Sequence, residues 1–294
     1  MKVSIVLPAK NEAESLKKLL PVLRSSFPAD EIIVVDDGST DETKDVCRQN
    51  EVKVVSHRYS MGNGAAIKSG ARAATGDVLV FMDADGQHDP ADIQSLIDKI
   101  YEGYDLVVGA REINSHASLA RRIGNTLYNR LASLMTGYTI EDLTSGFRAA
   151  RASHFKQFLY LLPNKFSYPT TSTMAFFRSG FSVTYVPIKV RQREGEAKSH
   201  IKIFRDGFRF FVIILKVGAL FSPMRFFLPV SAALFLTGLS YYSYTWFSSG
   251  RLTNMTAILL LSALFTFLIG IVSEQISALH YKGIEPATER GDEE

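Results

Sequence analysis

Over the first 110 or so residues, short apolar runs alternate with longer amphipathic stretches. Residues 3–7, 31–35, 52–55, 78–81 and 106–108 are rich in Val and Ile and read as strands. Residues 12–25, 42–50, 65–74 and 91–101 repeat apolar positions every three to four residues and read as helices. Asn11 with Glu14 three residues on predicts a capping box for the first helix. This alternation predicts a mostly parallel sheet with helices on both faces, in which ligands bind beyond the carboxyl ends of the strands.

The last third has another pattern. Residues 226–246 and 257–273 are two uncharged apolar runs, each close to the length that crosses the hydrocarbon of a bilayer. The loop 247–256 between them is short, which forces a hairpin with both outer ends on one side. Arg205, Arg209, Lys216 and Arg225 precede the first run and Lys282 follows the second, against Arg251 alone in the loop. The positive-inside rule therefore places both termini in the cytoplasm. The competing reading is a pair of buried core helices in a soluble protein. Between the halves, Lys202, Arg205, Arg209 and Lys216 fall on one helical face, opposite Phe204, Phe208, Phe211 and Leu215. That pattern suits a helix in the membrane interface with its cations toward lipid phosphates, or a helix packed on the soluble half.

Composition narrows the classes. The 294 residues carry 33 Lys and Arg against 30 Asp and Glu, a net charge of +3, which argues against a dedicated nucleic-acid binder. Hydrophobic residues make up 46%, enough for a real core. One cysteine, Cys47, excludes an internal disulfide framework and reads as core filler. The apolar run at residues 3–7 is too short for a signal peptide, so the first half is expected in the cytoplasm.

Chemistry collects at the predicted strand ends. Pro8-Ala9-Lys10-Asn11-Glu12 follows the first strand, Asp36-Asp37-Gly38-Ser39 the second, Asp83-Ala84-Asp85-Gly86-Gln87-His88 the fourth, and Gly109-Ala110-Arg111 the fifth. Carboxylates at three of these ends suit a ligand bridged by Mg²⁺ or Mn²⁺ to a diphosphate. A dinucleotide-binding dehydrogenase should show a glycine-rich turn after its first strand, and Pro8 to Glu12 has no glycine. Gly62-Asn63-Gly64 reads as a tight turn into the next helix.

In order along the chain, Leu7-Pro8-Ala9-Lys10-Asn11-Glu12, Val35-Asp36-Asp37-Gly38-Ser39, Met82 to Pro90, Asp142-Leu143-Thr144-Ser145-Gly146-Phe147-Arg148 and Gly195-Glu196-Ala197-Lys198 resemble the family-2 glycosyltransferases of GT-A fold. The branch they resemble is the dolichyl- or polyprenyl-phosphate mannose or glucose synthases, bacterial type with two C-terminal transmembrane helices. The resemblance implies an α/β catalytic domain over 1–200, with the Rossmann-like, mostly parallel sheet of nucleotide-diphospho-sugar transferases. An amphipathic juxtamembrane helix over 201–224, a transmembrane hairpin over 225–280 and a cytoplasmic tail over 281–294 would follow.

It implies transfer of one sugar from a UDP- or GDP-hexose to a polyprenyl phosphate, with inversion. Pro8, Lys10, Glu12, Val35, Asp37, Asp83, Ala84, Arg193 and Lys198 would bind the nucleotide-sugar, and Asp83, Asp85 and Gln87 the metal. Asp85, Asp142 and Arg111 would surround the reacting centre. Arg111, with Arg121, Arg122 and Arg130 on a helix at 119–135, would take the acceptor phosphate; surface charge or lipid binding is the alternative for those three. Membrane lipids and further copies of the chain would be its partners. Ala197 stands where the family usually has Ser. The Gln-x-x-Arg-Trp signature of processive synthases is absent, since the one tryptophan, Trp246, follows Thr245. A diacylglycerol-type acceptor and a non-catalytic nucleotide-sugar sensor are the competing functions.

Overall fold

A computed structural model describes residues 1–111, 119–164, 168–190 and 221–281. Residues 1–190 of this set fall in one compact unit and 221–281 in a second. Arg193, Lys198 and the predicted amphipathic helix, up to residue 220, lie outside the described residues.

The first unit is built on a seven-stranded sheet: β1 (Val3–Ala9), β2 (Glu31–Asp36), β3 (Lys53–Ser56), β4 (Val78–Phe81), β5 (Leu106–Arg111), β6 (Arg148–Arg151) and β7 (Val183–Ile188). The order is β3-β2-β1-β4-β6-β5-β7, with every pairing parallel except those of β6. The strands are continuous apolar runs because both faces are covered. Helices α1 (Ala13–Ser26), α2 (Thr43–Gln49), α3 (Asn63–Ala73), α4 (Asp92–Tyr101), α5 (Leu119–Thr136), α6 (Ala152–Gln157) and α7 (Tyr168–Arg178) accompany them. The core joins Ile5, Leu7, Val34, Val80 and Val107 to Leu16, Leu20 and Leu23 of α1 and Ile93, Leu96 and Ile97 of α4. Cys47 is buried, and burial with the nearby Asp36 charge pushes its thiol up to about 11, as befits core filler.

The mostly parallel α/β sheet stands as expected. Three details differ from the sequence expectation. The capping box at α1 does not form. Asn11 adopts φ 56° and its Oδ1 accepts from the Thr40 amide at 2.8 Å, while Glu14 pairs with Lys17 at 2.7 Å. The free amides at the start of α1 are met from the β2–α2 loop: Glu12 N donates to Thr43 Oγ1 at 3.1 Å and Ala13 N to Asp41 Oδ2 at 3.1 Å. Strand β5 runs on to Arg111, which puts that side chain at the strand's carboxyl end. The hairpin helices also extend further than their uncharged cores.

Glu31, at the start of β2, carries the clearest acid-dependent contribution to stability. It accepts from Ser4 Oγ at 2.6 Å, Thr75 N at 2.9 Å and Lys53 Nζ at 2.9 Å. Burial alone would raise its pKa, but these bonds outweigh burial and hold it at about 2. A depressed carboxylate pKa contributes stability above the unfolded-state value near 4.5, and the contribution is lost as pH falls toward 2. Solvent screening at this partly open site leaves about 1–2 kcal/mol of the shift as stability at neutral pH. Glu31→Gln should therefore lower the thermal midpoint at pH 7, with the gap to wild type narrowing steadily from pH 5 to pH 3. A constant gap across that range would assign the effect to packing.

The second unit is a helical hairpin of α8 (Pro223–Ser249) and α9 (Asn254–Tyr281), both long and apolar enough to cross a membrane. Only residues 250–253 separate them. Ser249 Oγ returns to Thr245 O at 2.9 Å, and Gly250, at φ 64°, closes α8 onto Trp246 O at 2.9 Å. Polar residues at the helix ends thus satisfy the backbone without leaving the helix. Ser231 Oγ donates to Ala263 O across the hairpin at 2.8 Å, and Met224 N donates to the Glu274 carboxylate at 3.2 Å. Leu236, Phe247, Leu261, Phe265 and Val272 are exposed on the two helices, as side chains facing lipid would be.

Candidate active site

Side chains from β1, β2, β4 and β5 meet along one rim, joined by the segment that enters β6 in the opposite direction. Asp37, just past β2, is buried and fully engaged. Its carboxylate accepts from His57 Nδ1 at 2.7 Å, Met61 N at 2.8 Å, Ser60 Oγ at 2.8 Å and Gly62 N at 2.8 Å. Burial works against the ionised form, yet His57 and the three loop donors hold the pKa at about 2. His57 Nε2 in turn meets Ser69 Oγ of α3 at 2.8 Å. Asp37 therefore pins the 57–62 loop over the rim. Gly38 lets the loop pass: it sits at φ 69°, and a Cβ there would come within 2.8 Å of the Tyr59–Ser60 backbone.

Pro8 lies beside Val35 across the β1–β2 pairing, half-buried, with Lys10 exposed and Glu12 half-buried beyond it. Val35 and Ala84 are sealed in the core, at 0% and 2% exposure.

Asp83 and Asp85 follow β4 and are half-buried. Burial and then repulsion from Asp85 raise Asp83 to about 6, against the opposing influence of the Asn63 amide and the charges of Arg111 and Arg148. Asp85 Oδ1 accepts from the Gln87 amide at 3.1 Å. Gly146 brings backbone against Asp83; a Cβ there would stand 3.1 Å from Oδ2. Among the described residues no three His, Cys, Asp or Glu side chains form a metal cage. Two adjacent, mutually repelling carboxylates are nonetheless a hard-oxygen donor set that fits Mg²⁺ or Mn²⁺, whose remaining positions water and phosphate oxygens can fill.

Arg111 and Asp142 form a two-point ion pair, Nε to Oδ2 at 2.7 Å and Nη2 to Oδ1 at 3.0 Å. Thr144 N and Ser145 N also donate to Asp142 Oδ1, at 3.0 and 3.1 Å, and Arg111 N reaches Oδ2 at 3.3 Å. Burial would raise the Asp142 pKa, but the Arg111 guanidinium outweighs it and leaves the group below the usual carboxylate range. Nη1 of Arg111 makes no hydrogen bond among the described residues.

Of the α5 arginines, Arg130 is exposed, and the side chains of Arg121 and Arg122 lie outside the described set. The rim thus gathers Pro8, Glu12, Asp37, Asp83, Asp85, Gln87, Arg111 and Asp142.

Three further residues belong here that the sequence motifs left unassigned. Asn63, the first residue of α3, lies close enough to Asp83 for its side-chain amide to favour the ionised carboxylate. Arg148, fully buried on β6, gives its guanidinium to Pro169 O at 2.9 Å, Ser172 Oγ at 2.6 Å and Ser145 O. His88 stacks on Phe147, with ring centroids 4.9 Å apart, and burial lowers its imidazole to about 4. Each stands inside or beside a quoted motif, but its role needs a neighbour distant in sequence.

Comparison with known proteins agrees with this geometry. Residues 4–159 match the glycosyl transferase family 2 model, and 222–279 match the GtrB C-terminal hairpin. The chain belongs to glycosyl transferase family 2. It is a glycosyltransferase that carries the GtrB-type hairpin. An undecaprenyl-phosphate mannosyltransferase from Micrococcus luteus is 32% identical over 67% of this chain and 87% of its own. Glycosyltransferase AglJ from Haloferax volcanii is 26% identical over 95% of this chain and 94% of its own. The fold is shared with glucosyl-3-phosphoglycerate synthase of Mycobacterium tuberculosis, solved with Mn²⁺, UDP and glucosyl-3-phosphoglycerate. The TM-score is 0.56 at 23% identity, over 72% of this chain and 79% of that one.

Proposed function

We propose that this glycosyltransferase moves a single sugar from a UDP- or GDP-hexose to a polyprenyl phosphate at the cytoplasmic face of the membrane, inverting the anomeric centre. The observation that carries the choice of acceptor is the state of Asp142. Both of its oxygens are committed to Arg111 and to the turn amides, and it stays ionised. An alcohol acceptor needs a base with a free lone pair, whereas a phosphate monoester is already an anion and needs placement.

In this reading Asp142 fixes the guanidinium of Arg111, and Nη1 of Arg111, which makes no hydrogen bond among the described residues, binds an acceptor phosphate oxygen. Arg121, Arg122 and Arg130 of α5 supply further positive charge toward the same lipid head. Asp37 holds the 57–62 loop in place for the nucleoside, with Pro8, Lys10 and Glu12 along the adjoining rim and the Val35 and Ala84 backbones behind it. Asp83, Asp85 and Gln87 hold a divalent cation, which when bound neutralises charge on the departing nucleoside diphosphate. Arg193 and Lys198 add positive charge to the diphosphate. The α8–α9 hairpin anchors the catalytic unit, with both termini cytoplasmic, a reading supported by the excess of Arg and Lys outside the loop between the helices.

The test is radiolabel transfer by the full chain in detergent, given undecaprenyl phosphate or diacylglycerol, Mg²⁺ or Mn²⁺, and UDP- and GDP-sugars. Label should enter undecaprenyl phosphate from one donor and stay out of diacylglycerol. Label in diacylglycerol alone would replace the acceptor. Nucleotide binding without transfer to either lipid would favour a sensor.

A further inference from the structure

Among the described residues, His88 is a buried polar side chain of the rim with an unsatisfied nitrogen and no role in the scheme above. Its side chain is 8% exposed and lies flat on Phe147, with ring planes 16° apart. The charged groups that act on it are Asp85, Arg111 and Asp142. Nδ1 is sealed from solvent and has no hydrogen-bond partner, whereas Nε2 is not sealed and makes no hydrogen bond among the described residues. A buried N–H without an acceptor is disfavoured more than a buried lone pair without a donor. The ring hydrogen therefore resides on Nε2, where a ligand can reach it.

We propose that His88 recognises the sugar of the donor, its Nε2–H donating to a hydroxyl of the ring held between Asp85 and the Arg111–Asp142 pair. This rests on the donor being a nucleotide-sugar. The surroundings select a hydroxyl over a phosphate. With Asp85 and Asp142 nearby, a hydroxyl can accept from Nε2–H and donate to a carboxylate in the same place. A phosphate oxygen can only accept, so it would leave the nearby carboxylate without a donor. The stack on Phe147 fixes the plane of the ring, so the donor direction is set before the sugar arrives.

The full chain in detergent, with Mn²⁺, is titrated by calorimetry with UDP-glucose, UDP-N-acetylglucosamine and GDP-mannose, and with UDP and GDP as their sugar-free partners. His88→Phe keeps the stack and removes the donor; His88→Gln carries an amide N–H near the Nε2 position, and His88→Asn near Nδ1. For the sugar nucleotide that binds the wild type, His88→Phe and His88→Asn should lose affinity about tenfold, and His88→Gln about threefold or less. Affinity for the matching bare nucleotide should stay within about twofold in all three. Unchanged sugar-nucleotide affinity in His88→Phe, or an equal loss for the bare nucleotide, overturns the proposal and leaves the donor class standing. If His88→Phe melts out of the folded state, the Gln and Asn pair decides, and equal affinities in those two overturn the proposal. Failure of the wild type to bind any nucleotide overturns the donor class itself.

Discussion

An Asp83→Asn protein should lose sugar transfer by about 10³-fold and yet melt at a higher temperature than the wild type when no divalent cation is present. The two effects have one cause. Asp83 is a carboxylate taken largely out of water and set beside the like charge of Asp85. Neither condition favours the folded state. Asparagine keeps the shape and removes the charge. The gain should be about 1–2 kcal/mol at pH 7, where Asp83 is still mostly ionised and its charge must be held out of water beside Asp85. Mn²⁺ should raise the midpoint of the wild type by mass action and leave that of Asp83→Asn unmoved. Asp85→Ala should lose transfer and the Mn²⁺ response to the same degree. A lower midpoint for Asp83→Asn, or a retained Mn²⁺ response, would remove Asp83 from the metal site.

Strands β1, β2, β4 and β5 are plain in the sequence because a buried parallel strand must be apolar on both faces. Their loops place the carboxylates, so the outline of the site follows from strand ends alone. Strand β6 escapes that logic. It is four residues, Arg148-Ala149-Ala150-Arg151, and its place between β4 and β5 depends on partners more than 35 residues away. β7 hides for another reason: Pro187 interrupts its pattern, which an edge strand tolerates. The same limit applies within the site. Asp37 looks like a free ligand in the sequence, but its donors come from residues 57–62. Arg148 looks like a surface cation, but its guanidinium is wholly enclosed by carbonyls and hydroxyls supplied from residues 145–173. Local pattern specifies elements and where loops begin; which side chains remain open to a ligand is decided by contacts between loops.

Asp142 and Arg111 should behave as one unit. Asp142→Asn would keep an acceptor for the turn amides but weaken the two-point grip on the guanidinium. Arg111→Met would leave Asp142 in its turn without the charge that keeps it ionised. Each change should lower transfer to undecaprenyl phosphate by about 10–10²-fold, and the double variant should be little worse than the poorer single one. The loss should lie mainly in KM for the lipid phosphate, since the pair places the acceptor and takes no proton. The pH profile supplies an independent sign. Asp142 is held below the ordinary carboxylate range, so it remains ionised from pH 5 upward and contributes no inflection near neutrality. A base would give the opposite result on every count: Asp142→Asn alone would cost about 10⁴-fold in kcat, Arg111→Met would add its own loss independently, and an ascending limb would vanish in the Asn variant. Phosphate acceptors favour the first outcome because their nucleophile is already charged. With the acceptor oxygen ionised before it arrives, a carboxylate tied up by two guanidinium bonds and two turn amides is no handicap to the enzyme.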